Sequence, residues 1–149
     1  MKRVTGLGGV FFKAKDPEKL CAWYQRHLGL KREPYGTAVS FFWREAKGRG
    51  KGMTVWSLFP RNTRYFRPSR AGFMLNYRVE DLDRLLRVLR REGVWIDPKR
   101  EDYEYGCFAW IQDPEGNRIE LWQPPAEKRA PRRQKRAGKS RQTKRVRAR

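Results

Sequence analysis

Along residues 8–15 apolar and polar positions alternate. Val10, Phe12 and Ala14 fall on one side of an extended chain; Gly9, Phe11, Lys13 and Lys15 fall on the other. A period of two is the signature of a strand. Asp16 and Pro17 follow, an N-cap residue with proline at the first helical position. Leu20, Trp23, Tyr24 and Leu28 then recur at helical spacing, and Gly29 ends the helix. Three further strands are read at residues 30–33, 38–44 and 53–59, with the Lys/Gly run at 47–52 as a loop. The same order then returns. Residues 73–80 alternate, with Leu75, Tyr77 and Val79 on one face. Asp81 opens a helix whose stripe is Leu82, Leu85, Leu86 and Leu89, and Gly93 stops it. Residues 94–97, 107–112 and 118–122 supply three more strands, the last two joined by the turn sequence DPEGN at 113–117.

Laying Asp16 over Asp81 aligns the two halves. Lys13 meets Arg78, Leu20 meets Leu85, and the helix-ending glycines Gly29 and Gly93 fall within one position of each other. An unrelated α+β meander has no reason to repeat element order, cap, stripe and stop together, so an internal duplication of a βαβββ module is expected. The polar residues 61–70, with Pro68 among them, form the linker. Tyr65 and Phe66 in its middle either tack it onto the domain or rim a pocket, and the first is favoured.

Composition divides the chain at one point. All six Trp, six Tyr and eight Phe precede residue 126, whereas residues 127–149 hold twelve Lys/Arg, one Glu and, of the larger aliphatics, Val146 alone. The expected organisation is a globular domain over 1–125 and a disordered basic tail over 126–149. The net charge of +20 leaves +9 on the part before the tail, which favours anionic ligands and acidic partners without bearing on the fold. Cys21 and Cys107 form no CxxC pair, so a zinc knuckle is excluded and two reduced thiols in a cytoplasmic protein are expected. Met1, Lys2 and Arg3 could start a leader, but the run after them is short, Gly-rich and closed by Lys13, Lys15 and Asp16. No run approaches the ~20 apolar residues of a membrane helix, and no membrane partner is expected.

Three segments, VFFKAKDPEKLCAWYQRHLGL (10–30), NYRVEDLDRLLRVLRREGV (76–94) and IQDPEGNRIELWQPP (111–125), resemble the vicinal oxygen chelate superfamily of glyoxalase I, extradiol dioxygenases and bleomycin- and fosfomycin-resistance proteins. The resemblance spans most of residues 5–125, and its most specific part is the DPEGN turn feeding a strand with Glu120 at its centre. It implies an α+β fold in which two tandem βαβββ modules curl one sheet into a cup, with helices outside and ligand inside. It also implies, for metal-dependent members, four inward ligands: two from the first strands, typically His, and two from the last strands, typically Glu or His. In this chain those positions fall on Gly9, Met74, Trp56 (to within a residue or two) and Glu120. One carboxylate does not hold a catalytic ion, so no tightly bound metal is expected and only a loosely held divalent ion stays open. His27, alone of its kind, lies on the first helix, outside the cup.

Strand alternation assigns the cup's lining. It comprises Gly9, Phe11 and Lys13; Met74, Asn76 and Arg78; Arg118, Glu120 and Trp122; and, from the first module's later strands, Trp43 and Trp56. Aromatic faces beside Arg, Asn and Glu suit a small organic ligand with an apolar body and an anionic group. The competing readings are an ion-pair cluster of Arg78, Arg118 and Glu120, and tryptophans that fill a closed core. Three functions follow: metal-independent small-molecule binding like that of the bleomycin-resistance branch; a lyase or isomerase using Glu120 as general base; and nonspecific nucleic-acid binding through residues 127–149. The tail has no aromatic residue for base stacking, and a solubilising extension is its simpler reading. A homodimer is the expected assembly, as the resemblance implies.

Overall fold

A computed structural model describes residues 1–47 and 50–126. Seven strands form one open mixed sheet: β1 (Val4–Ala14), β2 (Ala38–Arg44), β3 (Lys51–Pro60), β4 (Phe73–Val79), β5 (Ile96–Tyr103), β6 (Gly106–Gln112) and β7 (Arg118–Gln123). Helix α1 (Pro17–Leu28) follows β1, and α2 (Leu82–Arg91) follows β4. The spatial order is β2-β3-β1-β4-β7-β6-β5. The two modules meet at its centre through the antiparallel pair β1·β4, in which Phe11 faces Met74 and Gly9 faces Asn76. Outward from that seam the arrangement repeats: β1 pairs parallel with β3, and β4 pairs parallel with β7.

The helix signals act as read. Asp16 accepts a hydrogen bond from the backbone N–H of Lys19 at 3.0 Å, and Asp81 does the same for Arg84 at 2.9 Å. Both satisfy a donor that the first helical turn leaves open. Gly29 takes φ 67° at the end of α1 and Gly93 φ 77° just beyond α2, the left-handed region that suits a residue without Cβ. The α1 stripe is narrower than expected. Cys21 is fully buried, and Leu20 and Tyr24 pack inward, but Trp23 and Leu28 are exposed.

Two strands depart from the sequence reading. Residues 30–33 form no strand, and only the Glu33 N–H reaches β2, donating to the Ala38 carbonyl at 2.8 Å. Pro34 ends any ladder there, and the Arg32 side chain is drawn aside to Glu18 and the Gly36 carbonyl. The first module is therefore βαββ and the second βαβββ. At the opposite edge, β5 starts later than expected and runs on to Tyr103. Its sequence, IDPKREDY, lacks apolar alternation because an edge strand with a register shift between Ile96 and Arg100 accommodates Pro98 and its charges.

Each helix covers its own module on one face of the sheet. Under α2, Leu82, Leu85 and Leu89 pack on Val79, Ala109 and Leu121. Under α1, Cys21 packs on Ala14 and Leu58. The concave face carries a third cluster, Phe11, Phe66, Met74 and Trp110. None of the helices among the described residues is long and apolar enough to cross a membrane. The basic tail expected from residue 127 onward lies outside the described residues.

Replacing Leu85 by Ala removes a side chain 3% exposed at the centre of the α2 cluster. The expected loss is about 2–5 kcal/mol of unfolding free energy, readable by chemical denaturation. Asp81→Ala, which removes only the cap, is expected to cost ~1 kcal/mol in the same measurement.

Candidate functional site

Glu120 sits in β7 beside Asn76 of β4 and across from Trp110 of β6, on the concave face. It is 2% exposed. Three donors converge on its carboxyl group. Asn76 Nδ2 donates to Oε1 at 2.6 Å, Trp110 Nε1 donates to Oε2 at 3.0 Å, and the Tyr65 hydroxyl also donates to Oε2. Burial raises the Glu120 pKa above the ordinary carboxyl range, against the opposing pull of the three hydrogen bonds. The Tyr65 hydroxyl is pushed upward too, by burial first and then by the neighbouring carboxylate. Tyr65 therefore acts as a donor to Glu120, not as a second ionised group.

Tyr65 and Phe66 come from the linker, which folds over the concave face. Phe66 is fully buried against Phe59, and the Tyr65 ring stacks on Phe59 at 8° and 5.4 Å. Of the two roles open to this pair, tacking the linker onto the domain is the observed one. Around Glu120 the cup is filled by the protein's own aromatic side chains. Arg118, 5% exposed, is committed nearby: its Nη1 donates to Asp97 Oδ2 at 2.7 Å, and its guanidinium lies 5.1 Å from the centre of the Trp110 ring. Asn76 Oδ1 and Arg118 Nε are buried without a hydrogen-bond partner among the described residues.

The open space lies at the other end of the cup. A cleft of about 510 Å³ runs between the adjoining ends of β2 and β3 on one side and β4 and β7 on the other. Phe42, Trp43, Met53 and Trp122 give it apolar surface; Arg44, Lys51 and Arg78 give it positive charge; among the described residues no acidic side chain lines it. The Arg78 guanidinium lies 5.9 Å from the Trp43 ring centre, and its Nη1 donates to the Lys51 carbonyl at 2.7 Å. The small residues of β1 and β3 make the close packing around the cleft possible. A Cβ on Gly52 would lie 2.3 Å from the Trp43 indole, and one on Gly8 would lie 2.1 Å from Asn76 Oδ1. Both distances are shorter than atoms can approach, so these glycines are required by space.

The residues expected to line one pocket therefore separate into groups. Glu120, Asn76, Phe11 and Met74 come together in the closed part. Arg78, Trp43 and Trp122 come together in the cleft, and Arg118 is held by Asp97 and Trp110. Trp56 is a correction. It stands on the helix-covered face, edge-on to Phe12 and Tyr24. Its neighbours Val55 and Ser57 face the cup beside Gly9 and Phe11, because a slip of one residue along a strand exchanges the two faces. Trp43 shares its side of the β2·β3 ribbon with Trp56, yet its indole reaches Arg78 at the open edge.

Trp110, Phe42, Arg44, Lys51 and Met53 were not read from the sequence as site residues, and for Tyr65 rimming a pocket was the less favoured of two readings. For Trp110 the signal was present, since alternation in β6 puts it and Phe108 on the concave face. For Tyr65 the signal was only an aromatic pair in a polar linker, which has no periodicity to say where its side chains point.

The four positions assigned to a metal ion by resemblance do not fit one here. Gly9 and Met74 offer no hard ligand, the third falls on Val55 or Ser57, and both oxygens of Glu120 already accept from N–H and O–H donors. Among the described residues no three His, Cys, Asp or Glu side chains converge.

This architecture, a duplicated half-sheet joined at β1·β4 with one acid at the centre of the last strand, defines a cup-shaped α+β domain. Residues 6–121 match the family model for the Glyoxalase/Bleomycin resistance protein/Dioxygenase superfamily, and the chain belongs to that superfamily. Solved structures of similar fold include methylmalonyl-CoA epimerase from Mycobacterium tuberculosis, 24% identical, with a TM-score of 0.51 over 84% of this chain and 91% of that one. A variant of Streptomyces coelicolor methylmalonyl-CoA epimerase in complex with 2-nitronate-propionyl-CoA is 12% identical, with a TM-score of 0.58 over 83% and 99%. A protein described as an NAD-dependent benzaldehyde dehydrogenase from Legionella pneumophila is 17% identical, with a TM-score of 0.52 over 78% and 98%. At these identities the likeness is one of fold.

The raised pKa of Glu120 has a signed consequence. A carboxyl that binds its proton more tightly in the folded state stabilises the fold fully at pH below its unfolded pKa of ~4.3. That contribution is lost as pH rises through the folded value. Unfolding free energy measured from pH 4 upward is expected to carry this decline in the parent chain. Glu120→Gln, which cannot titrate, is expected to lack it; parallel profiles for the two proteins would contradict the assignment.

Proposed function

We propose that this protein binds, without a metal ion, a small organic ligand with an apolar, flat body and an anionic group, and that the ligand enters the cleft between Trp43, Arg78 and Trp122. The observation that carries the reading is the cleft's lining, which among the described residues comprises the cations Arg44, Lys51 and Arg78, several aromatic or apolar faces and no acid. A ligand ring lies against Trp122 or Phe42 and its anion meets Arg78, whose side chain is already oriented by the Lys51 carbonyl and the Trp43 face. The cleft is separate from the Glu120 cluster, so binding here draws on neither an ion nor a titrating carboxyl.

A second reading, lyase or isomerase chemistry with Glu120 as general base, is favoured by one observation, the desolvated carboxyl with its raised pKa. It also draws support from the epimerase likeness. It requires Tyr65 to leave Glu120, since that hydroxyl now occupies the oxygen a substrate proton would approach. Turnover of a methylmalonyl-CoA-type or glyoxalase-type thioester, abolished in Glu120→Gln, would favour it over simple binding.

Calorimetric titration with naphthoate in the presence of a chelator tests the first reading. Binding is expected to persist under chelation and to weaken by roughly tenfold or more in Arg78→Ala, the loss of one charge-assisted contact. Binding that needs an added divalent ion, or that ignores Arg78, would sink it.

A further inference from the structure

We propose that the groove between α2 and the edge strand β5, on the helix-covered face of the sheet, is a second binding site. Its ligand is an aliphatic carboxylate, the chain lying on the groove's floor and the carboxylate held by Arg87 and Arg90.

The floor comes from the way the α2 layer ends. The groove encloses about 620 Å³, and Leu86, Val94, Ile96 and Ala109 line it. Ala109 belongs to the core under α2, and the other three pack against that core while only partly buried. The apolar layer therefore does not close at this edge. Trp95, 44% exposed, also lines the groove. Aliphatic surface beside an exposed indole stays in contact with water, and a hydrocarbon chain lying along it would withdraw both from solvent.

The wall comes from the helix. Asp83, Leu86, Arg87 and Arg90 recur at helical spacing and form a stripe beside the core stripe of Leu82, Leu85 and Leu89. The stripe opens with an acid and closes with two arginines three positions apart, which puts their side chains side by side.

The charges of the groove divide into those that are answered and those that are not. Asp83 accepts from Nη1 of Arg100, whose Nε donates to Asp102 at 3.0 Å, so this pair ties α2 to β5. Asp97 is held by Arg118 at 2.7 Å. Lys99 pairs with Glu101 at 2.6 Å, and its ammonium lies 5.4 Å from the centre of the Trp110 ring, toward the concave face. Arg87 and Arg90 are exposed and make no hydrogen bond or ion pair with any described residue. Among the described residues, both acids that line the groove are thus committed to other arginines, and the two uncommitted guanidinium groups are neighbours. Each can donate a charge-assisted hydrogen bond to one carboxylate.

Neither half of the site suffices alone. An anion at two exposed arginines gains little, because water screens the attraction. A chain without an anion gains only the floor. The site is also distinct from the cup cleft in what it selects: the cleft presents flat aromatic faces, whereas this floor is mostly aliphatic.

Calorimetric titration of the full chain at low salt with acetate, butanoate, hexanoate and octanoate tests the proposal, with octyl glucoside as the uncharged counterpart. Affinity is expected to rise along the acid series by roughly fourfold per methylene until the floor is covered. Octyl glucoside is expected to bind at least roughly tenfold more weakly than octanoate. Arg87→Ala combined with Arg90→Ala, at exposed positions where alanine favours the helix, is expected to weaken octanoate roughly tenfold or more. Arg78→Ala, in the cup, is expected to leave octanoate binding unchanged. Full affinity in the double variant would overturn the proposal in favour of diffuse attraction to a chain of net charge +20. Absence of octanoate binding, its loss in Arg78→Ala, or equal affinity for acetate or for octyl glucoside would overturn it too. Because naphthoate in the cup and octanoate in the groove depend on different arginines, either site can fail while the other stands.

Discussion

A carboxyl group withdrawn from water must be met by donors, and in this protein that demand organises the concave face. Glu120 draws one donor from each of the two strands that flank β7, Asn76 from β4 and Trp110 from β6, and one from the linker between modules. The linker has few other reasons to cross the cup, since most of its residues are polar. Its Tyr65 is anchored on the acid, and Phe66 follows it into the interior between Phe59 and the Phe11–Met74 seam. One buried acid thus determines which part of the cup is solid and which part stays open. It also sets a high cost for change, because each donor removed leaves a buried oxygen short of a partner.

The same arrangement separates two kinds of chemistry that a lining inferred from alternation alone would merge. The closed part holds the titratable group in a dry, aromatic setting where burial raises its pKa. The open part holds permanent cations beside aromatic faces, a setting suited to attraction and stacking. Superfamily members are read by what stands at the corners of the cup. Here Gly9, Met74 and the cup-facing neighbours of Trp56 leave the acid without co-ligands, and the amide, indole and phenol take their place. The described open cleft lies at the edge, away from the acid, where Arg44 and Arg78 stand beside aromatic faces.

How far the sequence alone carried this protein can be judged from particular residues. Asp16 and Asp81 declared both helix starts, and the leucine stripe of α2 declared its buried face, because capping and helical periodicity are local. Alternation in β1, β4 and β7 put Phe11, Asn76 and Glu120 on one face for the same reason. Residues 30–33 misled, because a duplicated order suggests a strand that Pro34 and the Arg32–Glu18 pair prevent. Trp56 misled because parity in β3 depends on where the strand begins, and its first residues are glycine and lysine with no apolar phase to count from.

What the chain by itself determined was therefore the set of elements, their pairing into two related halves and the identity of the face that carries the acid. All of these follow from period, cap and stop signals within a few residues of one another. Only the tertiary structure decided that Tyr65 and Phe66 fill the cup, that Arg118 is committed to Asp97, and that Trp43 meets Arg78 across the sheet. The pairs Tyr65–Glu120, Arg118–Asp97 and Trp43–Arg78 join residues 21 to 55 positions apart. They depend on how strongly the sheet curls and where the linker crosses it, quantities that no local pattern encodes.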